Sequence, residues 1–252
     1  MSKSISLKQL AEKKYILIKG LPAEIIASFG EMEDAFDAIF YGDSGNGKTN
    51  LVIQVLAELI EKLDCKAEYV SYEEGHGRTM QQAMIERHNL LQRIGNRVSI
   101  TDHLTYDELR AKMAKKHSAK IWIIDSVQAS GLNYAQIKEL KRQFVLSRKR
   151  KILIYISWAE GKKPQGAVAR DCEYYANIKV RVHLYVGFLK SRFGGNLPYV
   201  AWPKGAKDNR TPEEWINLQR KIKGRAPKSR ADPKKKAPVN KKEAEPDEIE
   251  VE

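Results

Sequence analysis

The stretch "FYGDSGNGKTNLV", Phe40 to Val52, places Gly42, Gly45 and Gly47 next to Lys48, between an apolar run and an amphipathic one. Glycine tolerates backbone angles that let successive N–H groups converge on one concavity, and such a nest at a helix N-terminus attracts phosphate. Both flanks fit that picture. "AIFY", Ala38 to Tyr41, is short, apolar and β-prone, while "KTNLVIQVLAELIEKL" puts Leu51, Val55, Leu59 and Leu63 on one helical face.

The spacing of Gly42, four residues, Gly47, Lys48 and Thr49 is that of the phosphate-binding P-loop. The segment Gly42, Asp43, Ser44, Gly45, Asn46, Gly47 is expected to wrap a nucleotide's phosphates. Lys48 would then reach the β- and γ-phosphates and the Thr49 hydroxyl would ligate Mg2+. A P-loop also needs a metal-orienting carboxylate at the end of a neighbouring strand. "KIWIIDS" supplies it, with four apolar residues, Ile121 to Ile124, leading into Asp125. Ser126 follows, so the residue that activates the attacking water is sought elsewhere. "YVSYEEG" offers Glu73 and Glu74 at the end of the strand after the P-loop helix, and a carboxylate there can polarise a water aimed at the γ-phosphate. Glu73 is the first choice for this base and Glu74 the second; the one that is not the base caps the next helix. The sequence has no Asn-Lys-x-Asp guanine-reading motif, so the expected nucleotide is ATP.

A chain of 252 residues with 42% hydrophobic content suffices for one large α/β domain. No run approaches the ~18 apolar residues of a membrane span, and "MSKSISLKQL" lacks a signal-peptide apolar region, which together predict a cytoplasmic protein without a membrane partner. Cys65 and Cys172 stand far from metal-site spacing and are read as reduced and packed.

The net charge of +13 is unevenly distributed. Residues 220–242 carry 11 Lys/Arg against one Asp, +10; residues 243–252 carry six acids, −6; residues 1–219 keep 34 − 25 = +9. A basic body suits a polyanionic partner, nucleic acid first. Residues 1–36 read as a short cap or arm. Residues 37–220 read as the catalytic domain, with strands at 37–41, 67–72, 97–101, 120–125 and 151–157 alternating with helices near 48–63, 78–93, 105–116 and 134–148. That alternation predicts a mostly parallel central sheet flanked by helices. The runs at 177–186, 187–191 and 198–202 then read as antiparallel edge strands near the C-terminal end. Residues 221–252, proline-rich and without aromatics, read as a disordered basic-then-acidic tail, suited to tether nucleic acid or to recruit a protein partner.

Taken together, "GDSGNGKT", "YVSYEE" and "IWIIDSVQ" resemble the RecA-like P-loop ATPases, the superfamily of the Sms/RadA repair proteins, the DnaB-type replicative helicases and the KaiC-like ATPases. The motifs are most similar to the Sms/RadA and DnaB-like branch. The resemblance covers residues 37–202 and implies an α/β RecA-like P-loop NTPase core. It also implies a catalytic glutamate at the end of the second strand. "LKSRFGGNLP", 189–198, is similar to an element of that branch in which a Lys-x-Arg pair reaches the γ-phosphate held by the next subunit; Lys190 and Arg192 match it. Ser157-Trp158 stands where the branch carries Gln or His as a γ-phosphate sensor. Zinc-binding cysteines, a protease-like C-terminal domain and a helical N-terminal helicase domain are all missing from the sequence. The chain resembles a minimal core of phage or mobile-element type.

The resemblance implies an ATPase acting on DNA, preferably single-stranded, in recombination, repair or replication, with ATP and Mg2+ as cofactors. Self-association would be as a hexameric ring, with a filament as second choice. In RecA-like proteins the loop after the strand that ends in the metal-orienting aspartate and the loop after the next strand face DNA; here these are 126–133 and 159–170, and Lys162, Lys163 and Arg170 of the second can neutralise phosphates. The alternative reading is a nucleotide-gated regulator or loader that recruits a protein partner through its tail.

Overall fold

A computed structural model of the protein describes residues 4–223. The tail reading therefore lies outside the described residues, apart from 221–223, which close the last helix. The elements in chain order are α1 (Leu7–Ala11), α2 (Ala23–Phe29), β1 (Asp37–Tyr41), α3 (Lys48–Leu63), β2 (Ala67–Ser71), α4 (Arg78–Gln81), α5 (Leu90–Ile94), β3 (Val98–Thr101) and α6 (Tyr106–Ala114). They continue with β4 (Ile121–Asp125), α7 (Tyr134–Leu140), β5 (Ile152–Ser157), β6 (Ala159–Glu160), β7 (Lys163–Pro164), α8 (Ala167–Tyr175), β8 (Ile178–His183), β9 (Val186–Ser191), β10 (Tyr199–Val200), α9 (Pro203–Asp208) and α10 (Pro212–Lys223). Helices α4 and α7 each run on into looser π-helical turns, Gln82–Arg87 and Lys141–Val145.

One eight-stranded sheet in the order β10-β9-β8-β1-β5-β4-β2-β3 organises the chain. The five-strand stretch from β1 to β3 is parallel throughout, and β8 also runs parallel to β1. This corrects the sequence expectation for 177–186. That run is a parallel strand that ends at His183, and only β9 and β10 are antiparallel. Leu184 and Tyr185 adopt positive φ, 47° and 62°, and turn the chain between β8 and β9.

The sheet strands alternate between two cores, as a sheet covered on both faces requires. In β1, Ala38 and Phe40 join α2, α3, α4 and α5 on one face, whereas Ile39 and Tyr41 join α6, α7 and α8 on the other. The first core holds Leu51, Val55, Leu56, Leu59 and Ile60 of α3, so the helix that follows the glycine loop is fixed by its whole apolar face. Of the expected cap, the part from Ile18 onward enters this same core through Ile25, Phe29, Met32 and Phe36, while α1 buries no residue. Asp34 and Asp37 anchor that entry electrostatically: Asp34 binds Lys120 and Arg150, and Asp37 binds Lys141 at 2.8 Å.

The chain leaves β1 through α3 toward β2 and β3, but returns from β5 through α8 to β8 on the far side of β1. Connections therefore diverge beside β1. In open α/β sheets the crevice beyond the carboxyl ends of the strands at such a point is where ligands bind.

Candidate active site at the carboxyl end of the sheet

Residues Gly42 to Gly47 bridge β1 and α3, and two of the glycines are required by their surroundings. A Cβ on Gly42 would stand 2.2 Å from the Val182 carbonyl oxygen, and one on Gly47, at φ +88°, would meet the Tyr185 ring at 2.7 Å. Gly47 opens α3 in the left-handed conformation without a capping side chain, so the first amides of a 16-residue helix remain directed out of its N-terminus. Asn46, nearly buried, ties the loop to the β8–β9 turn. Its Oδ1 accepts from the Leu184 amide at 2.9 Å, its carbonyl accepts from the Tyr185 amide at 3.0 Å, and its Nδ2 donates to Asp43 at 3.3 Å.

Lys48 lies along the loop and donates to the carbonyls of Gly42 at 2.9 Å and Asp43 at 3.0 Å. Burial lowers its pKa, opposed by the charges of Asp125, Glu73 and Asp43. Asp125 ends β4 inside the same cleft. Its carboxyl is pushed up to about 6, first by burial and then by Glu73 and Glu74, although a hydrogen bond from Tyr69 and the charge of Lys48 pull the other way. Tyr69 Oη donates to Asp125 Oδ2 at 2.5 Å and lies near Thr49, the other residue expected to hold metal. Beside Asp125 in the ladder, Ser71 carries a buried hydroxyl with no hydrogen-bond partner among the described residues.

The two glutamates differ. Strand β2 ends at Ser71, so Glu73 and Glu74 stand in the turn beyond it. Glu74 Oε2 accepts from Thr79 Oγ1 at 2.7 Å, within the opening turn of α4, whereas no hydrogen bond reaches the Glu73 carboxylate among the described residues. Both line the cleft, of about 790 Å³, together with Ser44, Gly45, Lys48, Thr49 and Asp125.

Several lining residues escaped the sequence reading. Asn50 and Gln54 follow Thr49 on the open face of α3; Asn50 Oδ1 receives Arg87 at 2.9 Å and contacts His88 at 3.0 Å, while Gln54 donates to the Ala201 carbonyl at 2.6 Å. Tyr185 and Trp202 add aromatic surface, edge to face at 4.8 Å between centroids, beside Trp158, which the sequence already placed at the sensor position. Trp158 is 41% exposed, and its amide binds Gln128, whose Nε2 holds Ser157 Oγ at 2.9 Å. The motif signal stops at Thr49, and spacing alone cannot say that 185 and 202 fold back onto residue 47.

The remaining predicted positions lie elsewhere. Lys190 faces Lys179 in the ladder, and the Arg192 amide donates to the Asn177 carbonyl, at the end of β8 that lies beside the start of β1. Arg192 is therefore about 13 Å behind the level of Tyr41, at 3.3 Å per residue, and both cations are exposed and remote from this chain's own loop. The 159–170 segment is a small β6–β7 hairpin leading into α8. There Lys163 contacts Glu173 at 3.5 Å and Arg170 binds Glu160 at 2.9 Å, leaving Lys162 exposed without an ion pair among the described residues.

No protein-family model and no curated protein sequence matches the chain. Solved structures do. The KaiC-like protein PH0186 from Pyrococcus horikoshii aligns with TM-score 0.52 at 18% identity, and the flagellar accessory protein FlaH from Methanocaldococcus jannaschii with TM-score 0.50 at 14%. Each alignment covers 71% of this chain and 88% of the other. The chain has the RecA-like P-loop fold. Within the RecA-like fold, Gly42–Thr49, Glu73 and Asp125 leave the carboxyl ends of β1, β2 and β4, three strands of one parallel array. No helix among the described residues is long and apolar enough to cross a membrane.

Proposed function

We propose that the protein is an ATPase that acts on DNA, single-stranded DNA first, in recombination, repair or replication, through active sites shared between subunits. The observation that carries this reading is the convergence of Lys48, Thr49, Glu73 and Asp125 on one cleft at the carboxyl end of the sheet. The amides of the loop and the N-terminus of α3 bind phosphate. The Lys48 ammonium exchanges its two loop carbonyls for phosphate oxygens and offsets their charge. Glu73, without a hydrogen-bond partner of its own, orients the attacking water and takes its proton.

The residues fit Mg2+. Thr49 and Asp125 present hard oxygen donors in one cleft, and an Asp125 carboxyl repelled by Glu73 and Glu74 gains from a cation. Bound there, the ion would neutralise charge on the β- and γ-phosphates. Beyond the phosphates the cleft continues past Asn50 and Gln54 to Tyr185 and Trp202, enough room for a nucleoside.

Lys190 and Arg192 are assigned to a neighbour's γ-phosphate, because their own loop is out of reach. A hexameric ring satisfies this, and a filament is the second arrangement. For DNA, Lys162 supports contact at the 159–170 segment. The ion pairs of Lys163 and Arg170 favour the second reading, a nucleotide-gated regulator or loader whose tail recruits a protein.

Purified full-length variants test the proposal. Lys48→Ala should lose nucleotide affinity. Glu73→Gln should retain it while hydrolysis falls by roughly 10² to 10⁴, and Glu74→Gln should hydrolyse near the wild-type rate. Normal hydrolysis by Glu73→Gln with loss in Glu74→Gln would move the base by one residue. Turnover that ignores single-stranded DNA would favour the regulator.

A further inference from the structure

The amino-terminal edge of the sheet, opposite the cleft, carries a charge pattern that ATP chemistry does not use. Four neighbouring parallel strands are each entered through a cation: Arg97 before β3, Lys66 before β2, Lys120 before β4 and Lys151 before β5. Strand register lines them up, since Ala67 pairs with Val98 and Ile121, and Ile121 pairs with Ile152. Neighbours in this row are about 4.8 Å apart at the backbone.

Two connections extend the row outward. "AKKHSAK", 114–120, adds the exposed Lys115 and Lys116, and "SRKRK", 147–151, adds the exposed Arg148 and Lys149. They are bound to each other: Lys149 Nζ donates to the Ala114 carbonyl at 2.8 Å, and Lys151 Nζ to Ser118 Oγ at 2.8 Å and the Ala119 carbonyl at 2.6 Å. A groove of about 430 Å³ runs between Lys66, Lys112, Lys115, Lys116 and His117.

Three nearby acids are engaged, while Glu33 adds a negative charge near Arg150. Asp64 holds Arg97, Glu68 holds Lys112, and Asp34 holds Lys120 and Arg150. Among the described residues no carboxylate forms an ion pair with Lys66, Lys115, Lys116, Arg148 or Lys149. Burial and the charges of Lys149 and Lys120 push Lys151 down to about 8, which registers the same unbalanced field.

We propose that this edge is a track for a nucleic-acid phosphate backbone, on the opposite end of the sheet from the 159–170 segment. An acidic protein would be expected to bring an apolar anchor to a matching pocket, but the two connections carry no large apolar side chain, and Leu146, just before the second, is exposed. Cations in a row with little apolar surface are the footprint of backbone contact. The track shares with the function proposed above its nucleic-acid partner alone, and the ATPase reading does not depend on it.

The test uses the full-length chain carrying K115E, K116E, R148E and K149E together, with a glutamine version of the same set as a second variant. Thermal melting verifies the fold of each, and anisotropy of a labelled single-stranded oligonucleotide over a salt series reads binding. The expected result is at least a 10-fold weaker affinity at low salt and a log–log salt slope shallower by about three, with DNA-independent hydrolysis unchanged. Wild-type-like binding by both sets, with loss in the Lys162→Ala, Lys163→Ala protein, overturns the track and returns the contact to the loop. A wild-type protein that binds no oligonucleotide overturns both the track and the DNA-acting role and leaves the ATPase standing. Competition by single-stranded or duplex DNA identifies which form the track takes. Displacement by inorganic polyphosphate or polyglutamate where neither nucleic acid competes overturns the nucleic-acid assignment.

Discussion

Asp125 has a definite pH signature. Its folded-state pKa of about 6 stands above the ordinary value of 3.8, so the folded chain holds this proton more tightly than the unfolded one. Stability from this group is present below pH 4, declines as pH rises, and is lost above 6. Asp125→Asn should therefore stabilise the fold at pH 7.5 without nucleotide or Mg2+, by on the order of 2 to 3 kcal/mol at most, and raise the melting temperature accordingly. The gain should vanish toward pH 4. Melting curves of both proteins between pH 4 and 8 check this, and a gain that is constant with pH would contradict the assigned titration. The same variant should lose the stabilisation that Mg–ATP gives the wild type, since it removes an anionic oxygen donor.

Between elements, the contact of the glycine loop with the β8–β9 turn controls the cleft. Asn46→Ala removes the acceptor of the Leu184 amide and the donor to Asp43, at about 1 to 3 kcal/mol, and leaves the turn held to the loop by the bond from the Tyr185 amide to the carbonyl of residue 46. A fall in nucleotide affinity of about tenfold, read by titration calorimetry, is the expected outcome; unchanged affinity would make the clamp irrelevant. The Lys190–Arg192 strand belongs to the same scale. Inactive Lys48→Ala mixed with inactive Arg192→Ala should regain some turnover, and no recovery in a verified mixed assembly would refute sharing. Most strands were legible in the sequence because each is a short apolar run between polar punctuation: β1 was read at its observed limits, and β2, β4 and β5 to within one residue. The helices near 78–93 and 134–148 were read as continuous because their apolar spacing is helical, yet π-helical turns and Asn89 at φ 48° interrupt them. The glycine loop is legible because its surroundings demand glycine at positions 42 and 47. Tyr185, Trp202 and the engagement of Glu74 by Thr79 were not, since they depend on contacts between distant segments or on side-chain rotamers.

At the scale of the molecule, the proposed phosphate chemistry sits at the carboxyl end of the sheet, and a basic edge, with Arg192 at its level, lies at the other. The cations assigned to a neighbour's phosphate sit away from their own cleft, so under the proposed function a lone subunit would hold an incomplete site. Assembly and hydrolysis should rise together, with ATP favouring the assembled form by mass action. The most direct measurement is ATP turnover per subunit across a wide range of protein concentration with Mg2+, alongside mass by light scattering. The account predicts turnover that is very low for monomer and climbs as the assembled fraction climbs. Turnover per subunit that is constant from monomer to assembly, or absent throughout, would contradict it.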